Sequence, residues 1–224
     1  MKFSKIGVFG GTFDPVHRGH LQLAESAMKE CGLDKVVFIP AALPPHKNGA
    51  AVTSFAHRAA MLQLASSTSK SFACDLIESQ LPKPSYTIDT LHQLQKSYGD
   101  DVQLFFIMGA DAFLEIATWK AYKALLALVT VIISLREGYQ SRRLPQLLQE
   151  LGYQMHDSNL YRQGRNQEVR ILKATPAAVS SSSIRAMIGR GESIVHLVPE
   201  AVERYIHKHL LYQTDVLSNG FSEN

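Results

Sequence analysis

Two histidines three positions apart, His17 and His20, follow the glycine pair Gly10-Gly11 near the start of the chain. Residues with this spacing at the beginning of a helix lie on one face, next to unpaired backbone N–H groups and the positive end of the helix dipole. Imidazole and backbone N–H groups both donate hydrogen bonds to phosphate oxygens, so the pattern indicates an anion site. Two other interpretations stay open: one histidine caps the helix while the other packs, or the pair supplies two ligands to a metal.

The turn between the glycines and the histidines follows an apolar run at positions 6–9 and reads Gly10-Gly11-Thr12-Phe13-Asp14-Pro15. Adjacent glycines allow a backbone to approach a ligand closely. The sequence matches neither the dinucleotide fingerprint G-x-G-x-x-G nor the phosphate loop G-x-x-x-x-G-K-[ST]. A buried strand, a tight turn and a helix start therefore predict a phosphate-binding turn of another kind.

Short apolar runs that alternate with amphipathic segments supply the framework for this turn. The predicted strands cover 6–9, 36–39, 72–77, 104–108, 129–134 and 169–172, and the predicted helices cover 21–31, 55–66, 88–98, 112–117, 183–189 and 199–212. Gly32 and Gly99 predict helix ends, and residues 153–168 predict a loop. The order predicts a Rossmann-like, doubly wound α/β fold with a mostly parallel sheet, helices on both faces and a helical C-terminal segment. Ligands of such sheets gather at the carboxyl ends of the strands.

Chain length and composition predict one domain, residues 1–212, followed by a polar tail, 213–224, that we expect to be disordered. The 224 residues are 46% hydrophobic and 19% charged. A net charge of +3 suits anionic small molecules, but it is too weak and too dispersed to indicate nucleic-acid binding.

The two cysteines, Cys31 and Cys74, have no closely spaced partner, which argues against a disulfide framework or a cysteine-rich zinc site. The N-terminal residues run directly into the glycine turn and leave no room for a signal peptide. The longest apolar stretch, 121–135, is interrupted by polar residues and is shorter than the roughly 20 residues that span a bilayer. These features predict a cytoplasmic protein without a membrane partner.

The segment from Gly10 to His20, Gly-Gly-Thr-Phe-Asp-Pro-Val-His-Arg-Gly-His, resembles the signature of the nucleotidylyltransferase superfamily. Four further motifs resemble the bacterial nicotinate-nucleotide adenylyltransferase family and occur in the order expected of it, between Lys5 and Tyr212. They are Pro44-Pro45-His46-Lys47, Ser85-Tyr86-Thr87-Ile88-Asp89-Thr90-Leu91, Met108-Gly109-Ala110-Asp111 with Trp119, and Ser180-Ser181-Ser182-Ser183-Ile184-Arg185. The resemblance covers nearly the whole chain and implies the fold described above.

The resemblance implies that the 5′-phosphate of nicotinate mononucleotide attacks the α-phosphorus of ATP in line. The products are nicotinate adenine dinucleotide, an intermediate of NAD biosynthesis, and pyrophosphate. Because the substrate phosphate is itself the nucleophile, the protein has to orient two anions and offset the charge of the transition state. The resemblance assigns this part to His17, His20, Lys47 and Arg185, with Mg²⁺ held mainly by the ATP phosphates and water.

The ATP contacts implied by the resemblance come from the glycine turn, two strand ends and the last serine-rich turn. They are Gly10, Gly11, Thr12, Phe13, His17, His20, Gly109, Asp111, Arg136, Ser182, Ser183, Ile184 and Arg185. Asp111 at a strand end suits a ribose hydroxyl, or it caps the helix 112–117. Serines before a helix bind an anion, or they only cap the helix. Arg136 precedes Glu137, where the family often has proline.

The nicotinate mononucleotide contacts implied by the resemblance come from three separate segments. They are His46, Lys47, Ser85, Tyr86, Thr87 and Trp119. The backbone N–H groups of Ser85-Tyr86-Thr87 open a helix and suit the nicotinate carboxylate. Trp119 stacks on the nicotinate ring or anchors the core, and Lys47 reaches phosphates or is a solvated loop lysine.

Three other functions stay open at this point. Nicotinamide mononucleotide adenylyltransferase differs chiefly in its amide substrate, whereas phosphopantetheine adenylyltransferase is a shorter chain without the motifs at 85–87 and 108–111. A non-catalytic nucleotide-binding module on the same scaffold is the third possibility, because a fold does not fix function. The combination of His17, His20, Lys47 and Arg185 favours catalysis, because a silent site has no need of all four. The oligomeric state, including a homo-oligomer, is left open.

Overall fold

One eight-stranded sheet forms the centre of the protein, as seen in a computed structural model that describes residues 4–43, 52–135, 143–164, 167–174 and 179–213. The strands are β1 (Lys5–Gly11), β2 (Lys35–Pro40), β3 (Phe72–Cys74), β4 (Gln103–Gly109), β5 (Thr130–Ser134), β6 (Gln154–Asp157), β7 (Leu160–Gln163) and β8 (Gln167–Ile171). Their spatial order is β3-β2-β1-β4-β5-β8-β7-β6, with β7 antiparallel to both neighbours and all other pairs parallel. Because β2 lies on one side of β1 and β4 on the other, the carboxyl ends of β1 and β4 border a switch-point crevice.

Helices cover both faces of this sheet. Among the described residues they are α1 (Arg18–Cys31), α2 (Phe55–Ser66), α3 (Thr87–Tyr98), α4 (Ala110–Leu114), α5 (Tyr122–Leu128), α6 (Arg143–Glu150), α7 (Ser181–Gly189) and α8 (Glu200–Lys208), with short 3₁₀ turns at Ile77–Ser79 and Ile116–Thr118. Helices α1, α2, α7 and α8 pack on one face, and α3 to α6 pack on the other. None of the helices in the described ranges has the length and apolar character needed to cross a membrane. The predicted tail, apart from Gln213, lies outside the described residues.

The residues of β4 explain why the parallel strands appear in the sequence as continuous apolar runs. Leu104, Phe106 and Met108 belong to one core, whereas Phe105 and Ile107 belong to the other. Successive side chains of a strand face opposite sides, and here helices cover both sides. The predicted Rossmann-like, doubly wound fold is thereby confirmed.

The sequence prediction is wrong near both edges of the sheet. The strand predicted at 72–77 ends at Cys74, because the Asp75 carboxylate accepts a hydrogen bond from the Ile77 N–H and turns the chain into a 3₁₀ turn. The loop predicted at 153–168 contains β6 and β7 instead. All residues of β6 are exposed, so no apolar alternation marks this antiparallel hairpin in the sequence.

The observed ends of two helices, α7 and α8, differ from the predicted ones. Helix α7 begins at Ser181, not at 183, because the Ser180 hydroxyl accepts a hydrogen bond from the Ser183 N–H and caps the helix. Helix α8 ends at Lys208, not at 212. Both glycines predicted to end helices do so, with φ angles of 66° and 91°. Helices α5 and α6 were not predicted.

Candidate active site

The glycine turn at the carboxyl end of β1 forms one side of the candidate site. Gly10 and Gly11 end the strand and pair with Ile39 and Pro40 of β2. A Cβ on Gly11 would lie 3.0 Å from the ring of Phe13, which favours glycine there. Phe13 adopts a positive φ of 50°, and its side chain is buried. Of the ATP contacts predicted in this turn, Phe13 therefore offers its backbone only.

His17 and His20 lie at the start of α1, and their rings stack with centroids 3.7 Å apart. His17 occupies the N-cap position, and its backbone N–H donates a hydrogen bond to His20 Nδ1 at 3.2 Å. Because Nδ1 accepts, neutral His20 carries its proton on Nε2, and that N–H is the donor left for a ligand. Helix capping and phosphate binding are thus compatible roles for this pair.

Burial keeps both imidazoles neutral. It lowers the pKa of His17 to about 4. The pKa of His20 is also held well below its ordinary value, first by burial and second by the neighbouring His17 ring. At neutral pH the pair therefore donates hydrogen bonds without carrying a positive charge. His17 Nδ1 is a buried atom without a hydrogen-bond partner among the described residues.

Acidification from about pH 7 to 4 is expected to lower the free energy of unfolding. The folded-state pKa of His17, about 4, lies below the unperturbed value of 6.5. The unfolded chain therefore binds the proton first, and the stability present above pH 6.5 is lost as the pH falls toward the folded-state pKa. At about 1.4 kcal/mol per pH unit, His17 alone accounts for a loss of up to about 3 kcal/mol. Urea denaturation at a series of pH values measures this loss.

The variant His17→Gln separates this effect from general acid denaturation. Glutamine gains no proton, so the fall in unfolding free energy between about pH 7 and 5 becomes shallower than in the wild type. His92→Gln, on the exposed surface of α3, serves as the control and leaves the slope unchanged. A full wild-type slope in His17→Gln would contradict a buried neutral His17.

The buried guanidinium of Arg58 fastens the glycine turn to two other segments. Its nitrogens donate to backbone carbonyls: Nη1 to Thr12 at 2.8 Å, Nη2 to Ala41 at 2.8 Å and Nε to Thr53 at 2.9 Å. Burial lowers the pKa of Arg58, and the carboxylate of Asp14 opposes that shift. The turn after β1, the segment after β2 and the start of α2 are thereby held together.

Sequence reasoning missed Arg58, although the sequence contains a signal for it. Arg58 lies on the same stripe of α2 as Met61, Leu62 and Ala65, and all four residues are buried. A charged residue at helical spacing with apolar residues occupies a buried position only when partners satisfy its charge. Such a residue is therefore a candidate for holding backbone segments together.

Helix α7 brings Arg185 to the same turn. Ser181 Oγ donates to the Pro15 carbonyl at 2.9 Å, and Arg185 Nη1 donates to the Asp14 carbonyl at 2.7 Å. These carbonyls precede His17, the N-cap of α1, by two and three residues. Two helix starts and one arginine thus converge on the glycine turn, an arrangement suited to an anion.

The other predicted phosphate contacts on α7 take part in capping. Ser183 Oγ donates to the Ser180 carbonyl at 2.7 Å, and Ser182 Oγ lies 3.0 Å from Ser180 Oγ. Ser182 and Ser183 are both exposed, so capping leaves them accessible. Ile184 is buried, and its N–H donates to the Ser180 carbonyl at 3.1 Å. The structure therefore gives Ile184 a core position.

The end of β4 places Gly109 and Asp111 beside the switch point. Gly109 is the last residue of β4 and the N-cap of α4, so the interpretation of Asp111 as that cap is wrong. Asp111 is exposed, and its Oδ1 accepts a hydrogen bond from the Ala112 N–H at 3.0 Å. A Cβ on Gly109 would collide with this carboxylate oxygen. The predicted ribose contact is thus an exposed acceptor at a strand end.

Trp119 is half-buried, and its ring meets that of Phe106 edge-on at a centroid distance of 6.1 Å. One part of the Trp119 side chain therefore packs on the core. Stacking of its exposed part on a nicotinate ring stays a prediction. The next residue, Lys120, has its Nζ 4.3 Å from the ring centroid of Tyr86 and 3.0 Å from Asp89 Oδ2. These contacts bring the segment of Trp119 next to the start of α3.

The carboxylate of Glu78 joins the segment after β2 to the start of α3, which together form the second part of the site. Its Oε2 accepts hydrogen bonds from the Ala42 N–H at 3.0 Å and the Ser85 hydroxyl at 3.1 Å, and its Oε1 accepts one from the Thr90 hydroxyl at 3.3 Å. Tyr86 is the N-cap of α3, so the predicted N–H donors do lie at a helix start. Glu78 was not predicted, because nothing local in the sequence connects it to Ala42.

Three predicted site residues, His46, Lys47 and Arg136, lie outside the described residues. Within the described ranges, no three side chains of histidine, cysteine, aspartate and glutamate come together as ligands for a metal. The carboxylate nearest to the histidines along the chain, that of Asp14, is buried and accepts a hydrogen bond from the Tyr212 hydroxyl at 2.8 Å.

Known proteins resemble this chain over most of its length. The Cytidylyltransferase-like family model matches residues 8–187. A protein of Desulfotalea psychrophila named "Probable nicotinate-nucleotide adenylyltransferase" is 44% identical over 216 residues, covering 93% of this chain and 99% of that protein. A protein of the same name from a Thermoanaerobacter species is 40% identical over 211 residues, covering 94% of this chain and 95% of that protein.

Solved structures share the fold at lower sequence identity. The Plasmodium falciparum nicotinic acid mononucleotide adenylyltransferase complexed with NaAD has a TM-score of 0.71 and 18% identity, covering 93% of this chain and 97% of that chain. The same protein complexed with APC has a TM-score of 0.68 and 17% identity. The likeness extends over nearly the full length of both chains and concerns the fold.

Proposed function

The chain belongs to the cytidylyltransferase-like family and, within it, to the nicotinate-nucleotide adenylyltransferases, and from that premise we propose that it joins ATP and nicotinate mononucleotide. The products are nicotinate adenine dinucleotide, an intermediate of NAD biosynthesis, and pyrophosphate. The observation that carries the proposal is the convergence of two helix starts and Arg185 on the glycine turn. This convergence concentrates hydrogen-bond donors where two phosphate groups have to meet.

The proposed transfer needs no nucleophilic side chain. A phosphate oxygen of nicotinate mononucleotide forms a bond to the α-phosphorus of ATP. The bond from that phosphorus to the oxygen that bridges to the β-phosphorus breaks, and pyrophosphate leaves with the electron pair. Negative charge shifts among the phosphoryl oxygens during this step. Hydrogen-bond donors that are already in place stabilise the charge of the transition state without having to reorganise.

His20 and Arg185 take complementary parts in this proposal. His20 donates from Nε2, because its Nδ1 is occupied by the His17 N–H. Arg185 supplies the positive charge that the neutral histidines lack, and its partial exposure leaves it accessible to ATP. The backbone of the glycine turn and of the first turn of α7 adds N–H donors. Lys47 and Arg136 stay predictions from the sequence.

The second part of the site receives the nicotinate end of the acceptor. The backbone N–H groups of Ser85, Tyr86 and Thr87 at the start of α3 bind the nicotinate carboxylate. The exposed part of Trp119 stacks on the ring, and His46 stays a prediction. Asp111 accepts hydrogen bonds from the ATP ribose at the end of β4. The two nucleotides thereby meet over the switch point of the sheet.

Magnesium enters this proposal as part of the ATP substrate. Mg²⁺ prefers oxygen ligands and keeps several of its waters when it binds nucleotide phosphates. The residues of the glycine turn fit that arrangement, since the histidines act as donors and the Asp14 carboxylate is occupied by Tyr212 and Thr53. Phosphates and water therefore hold the ion, and the protein contacts the phosphates.

A cytoplasmic location belongs to the same proposal. It rests on the sequence, in which the two cysteines, Cys31 and Cys74, have no closely spaced partner for a disulfide framework. ATP and a mononucleotide are the expected small-molecule partners.

Release of pyrophosphate from ATP and nicotinate mononucleotide with Mg²⁺ is the expected activity. With nicotinamide mononucleotide we expect kcat/KM at least about tenfold lower, because backbone N–H groups bind a carboxylate more strongly than a neutral amide. Excess EDTA abolishes turnover and added Mg²⁺ restores it. A coupled pyrophosphate assay with both mononucleotides side by side measures these differences.

Each contrary result selects another function that the sequence left open. Absence of turnover with nicotinate mononucleotide overturns the proposal and, if calorimetry still detects ATP binding, favours a non-catalytic nucleotide-binding module. Faster turnover with the amide identifies a nicotinamide mononucleotide adenylyltransferase. Turnover of ATP with phosphopantetheine, but with neither mononucleotide, identifies a phosphopantetheine adenylyltransferase.

A further inference from the structure

The carboxylate of Asp14 is buried in the middle of the glycine turn, with 1% of the residue exposed. Its Oδ1 accepts a hydrogen bond from the Tyr212 hydroxyl at 2.8 Å, and its Oδ2 accepts one from the Thr53 N–H at 3.4 Å. A buried charge needs such partners, because burial without them is costly. The orientation of Asp14 thus depends on a tyrosine 198 residues further along the chain.

Asp14 also holds Arg185. Its carbonyl accepts the 2.7 Å hydrogen bond from Arg185 Nη1, and its Oδ2 lies 3.9 Å from the same nitrogen. A single residue therefore joins the hydroxyl of Tyr212 to the guanidinium that we place on the ATP phosphates. Any rotation of the Asp14 carboxylate moves a charge next to that guanidinium.

The backbone after α8 is shaped to deliver Tyr212 to this position. Leu210 and Tyr212 adopt φ angles of 50° and 65°, in the left-handed region that residues other than glycine seldom occupy. Such residues persist where surrounding contacts hold them. Burial, with the neighbouring Asp14 as a smaller cause, raises the pKa of Tyr212, so its hydroxyl stays a donor.

We propose that Tyr212 is a positioning residue for adenylyl transfer, whose hydroxyl fixes Asp14 so that Asp14 holds Arg185 at the glycine turn. The proposal rests on the proposed function, because Arg185 is the group through which Tyr212 acts on ATP. It assigns a role in the site to the segment that follows α8, far from the glycine turn in sequence. Tyr212 itself touches no reacting atom.

The variant Tyr212→Phe removes only the hydroxyl and tests the proposal. We expect kcat to fall about tenfold and the Kd for ATP, measured by calorimetry, to rise about threefold, as for a lost hydrogen bond to a charged group. Tyr205→Phe is the matched control, because its hydroxyl bonds His57 Nδ1 at 3.0 Å on the same C-terminal segment. Its kinetics stay within about twofold of the wild type. Circular dichroism sets an assay temperature at which every variant is folded.

A double-variant cycle identifies the route of the effect. In an Arg185→Ala background the guanidinium is gone, so Tyr212→Phe lowers kcat/KM less than about twofold further. A full tenfold loss in that background overturns positioning through Arg185. Unchanged kcat and ATP affinity in Tyr212→Phe, with only a lower Tm, assign Tyr212 to stability alone and overturn the proposal as well.

The cycle stays informative if the proposed function itself fails. Wild-type protein without turnover on nicotinate mononucleotide contradicts the adenylyl transfer but leaves ATP binding measurable. In that case a higher Kd for ATP in Tyr212→Phe, with an unchanged Kd in Tyr205→Phe, still supports the connection from Asp14 to the nucleotide. An ATP affinity that is equal in both variants overturns it.

Discussion

His20→Ala is expected to lower kcat/KM by about 10²-fold or more, with most of the loss in kcat. The nitrogen involved is Nε2, because His20 Nδ1 accepts the backbone N–H of His17 at 3.2 Å. Loss of one preorganised donor to a transition-state oxygen costs roughly 10²- to 10³-fold in rate. Pyrophosphate release at saturating and at limiting ATP separates kcat from KM.

His57→Ala is the matched control for this variant. His57 is also partly buried and its ring forms a hydrogen bond with the Tyr205 hydroxyl, but it lies on α2 and outside the convergence of α1 and α7. Its kinetics are expected within about threefold of the wild type. Near-normal kinetics in His20→Ala would show a structural histidine, and equal losses in both variants would indicate a folding defect.

The histidine pair was predictable because its geometry is local. His17 and His20 are three positions apart at the start of a helix, so the spacing alone places the two rings on one face. The start of this helix was predicted too late, at residue 21, whereas α1 begins at Arg18 with His17 as its N-cap. What the sequence did not show is the proton position on His20, which depends on a single hydrogen bond.

The residues that hold the site together were not predictable in this way. Arg58 bonds a carbonyl 46 residues away, Glu78 an N–H 36 residues away and Asp14 a hydroxyl 198 residues away. Such pairings follow from the packing of α2, α3 and the C-terminal segment around the sheet. A single sequence predicts the helices and strands and which of their faces are buried. It does not predict which polar groups on different elements form hydrogen bonds with each other.

The sheet shows the same division between local and long-range information. The parallel strands were predictable because helices bury both of their faces, which produces uninterrupted apolar runs such as 104–108. The hairpin of β6 and β7 was missed because β6 is an exposed sheet edge. Arg162 of β7 pairs across the sheet with Glu168 of β8, their side chains 2.9 Å apart, and charged residues do not produce a strand pattern.

Arg58→Met is expected to lower the free energy of unfolding by about 3 to 5 kcal/mol, because it leaves three partly buried backbone carbonyls without the donor that the buried guanidinium supplies. The three carbonyls are those of Thr12, Ala41 and Thr53, and the variant also removes the positive charge near the Asp14 carboxylate. Methionine keeps the length and apolar packing of the side chain. For a chain of this size the loss corresponds to a Tm lower by roughly 10 °C, which calorimetry or urea denaturation measures.

Arg204→Met makes the same change at an exposed ion pair and isolates the effect of burial. Arg204 lies 3.0 Å from Glu200, with side chains 72% and 75% exposed, so its loss costs less than about 0.5 kcal/mol. Similar stability losses in the two variants would mean that the Arg58 hydrogen bonds are replaced by water.

Activity provides a second, independent test of the role of Arg58, since the Thr12 carbonyl belongs to the turn that leads to His17. At a temperature where Arg58→Met is fully folded, kcat/KM should still fall, because a turn freed from Arg58 no longer presents the histidines in one fixed orientation.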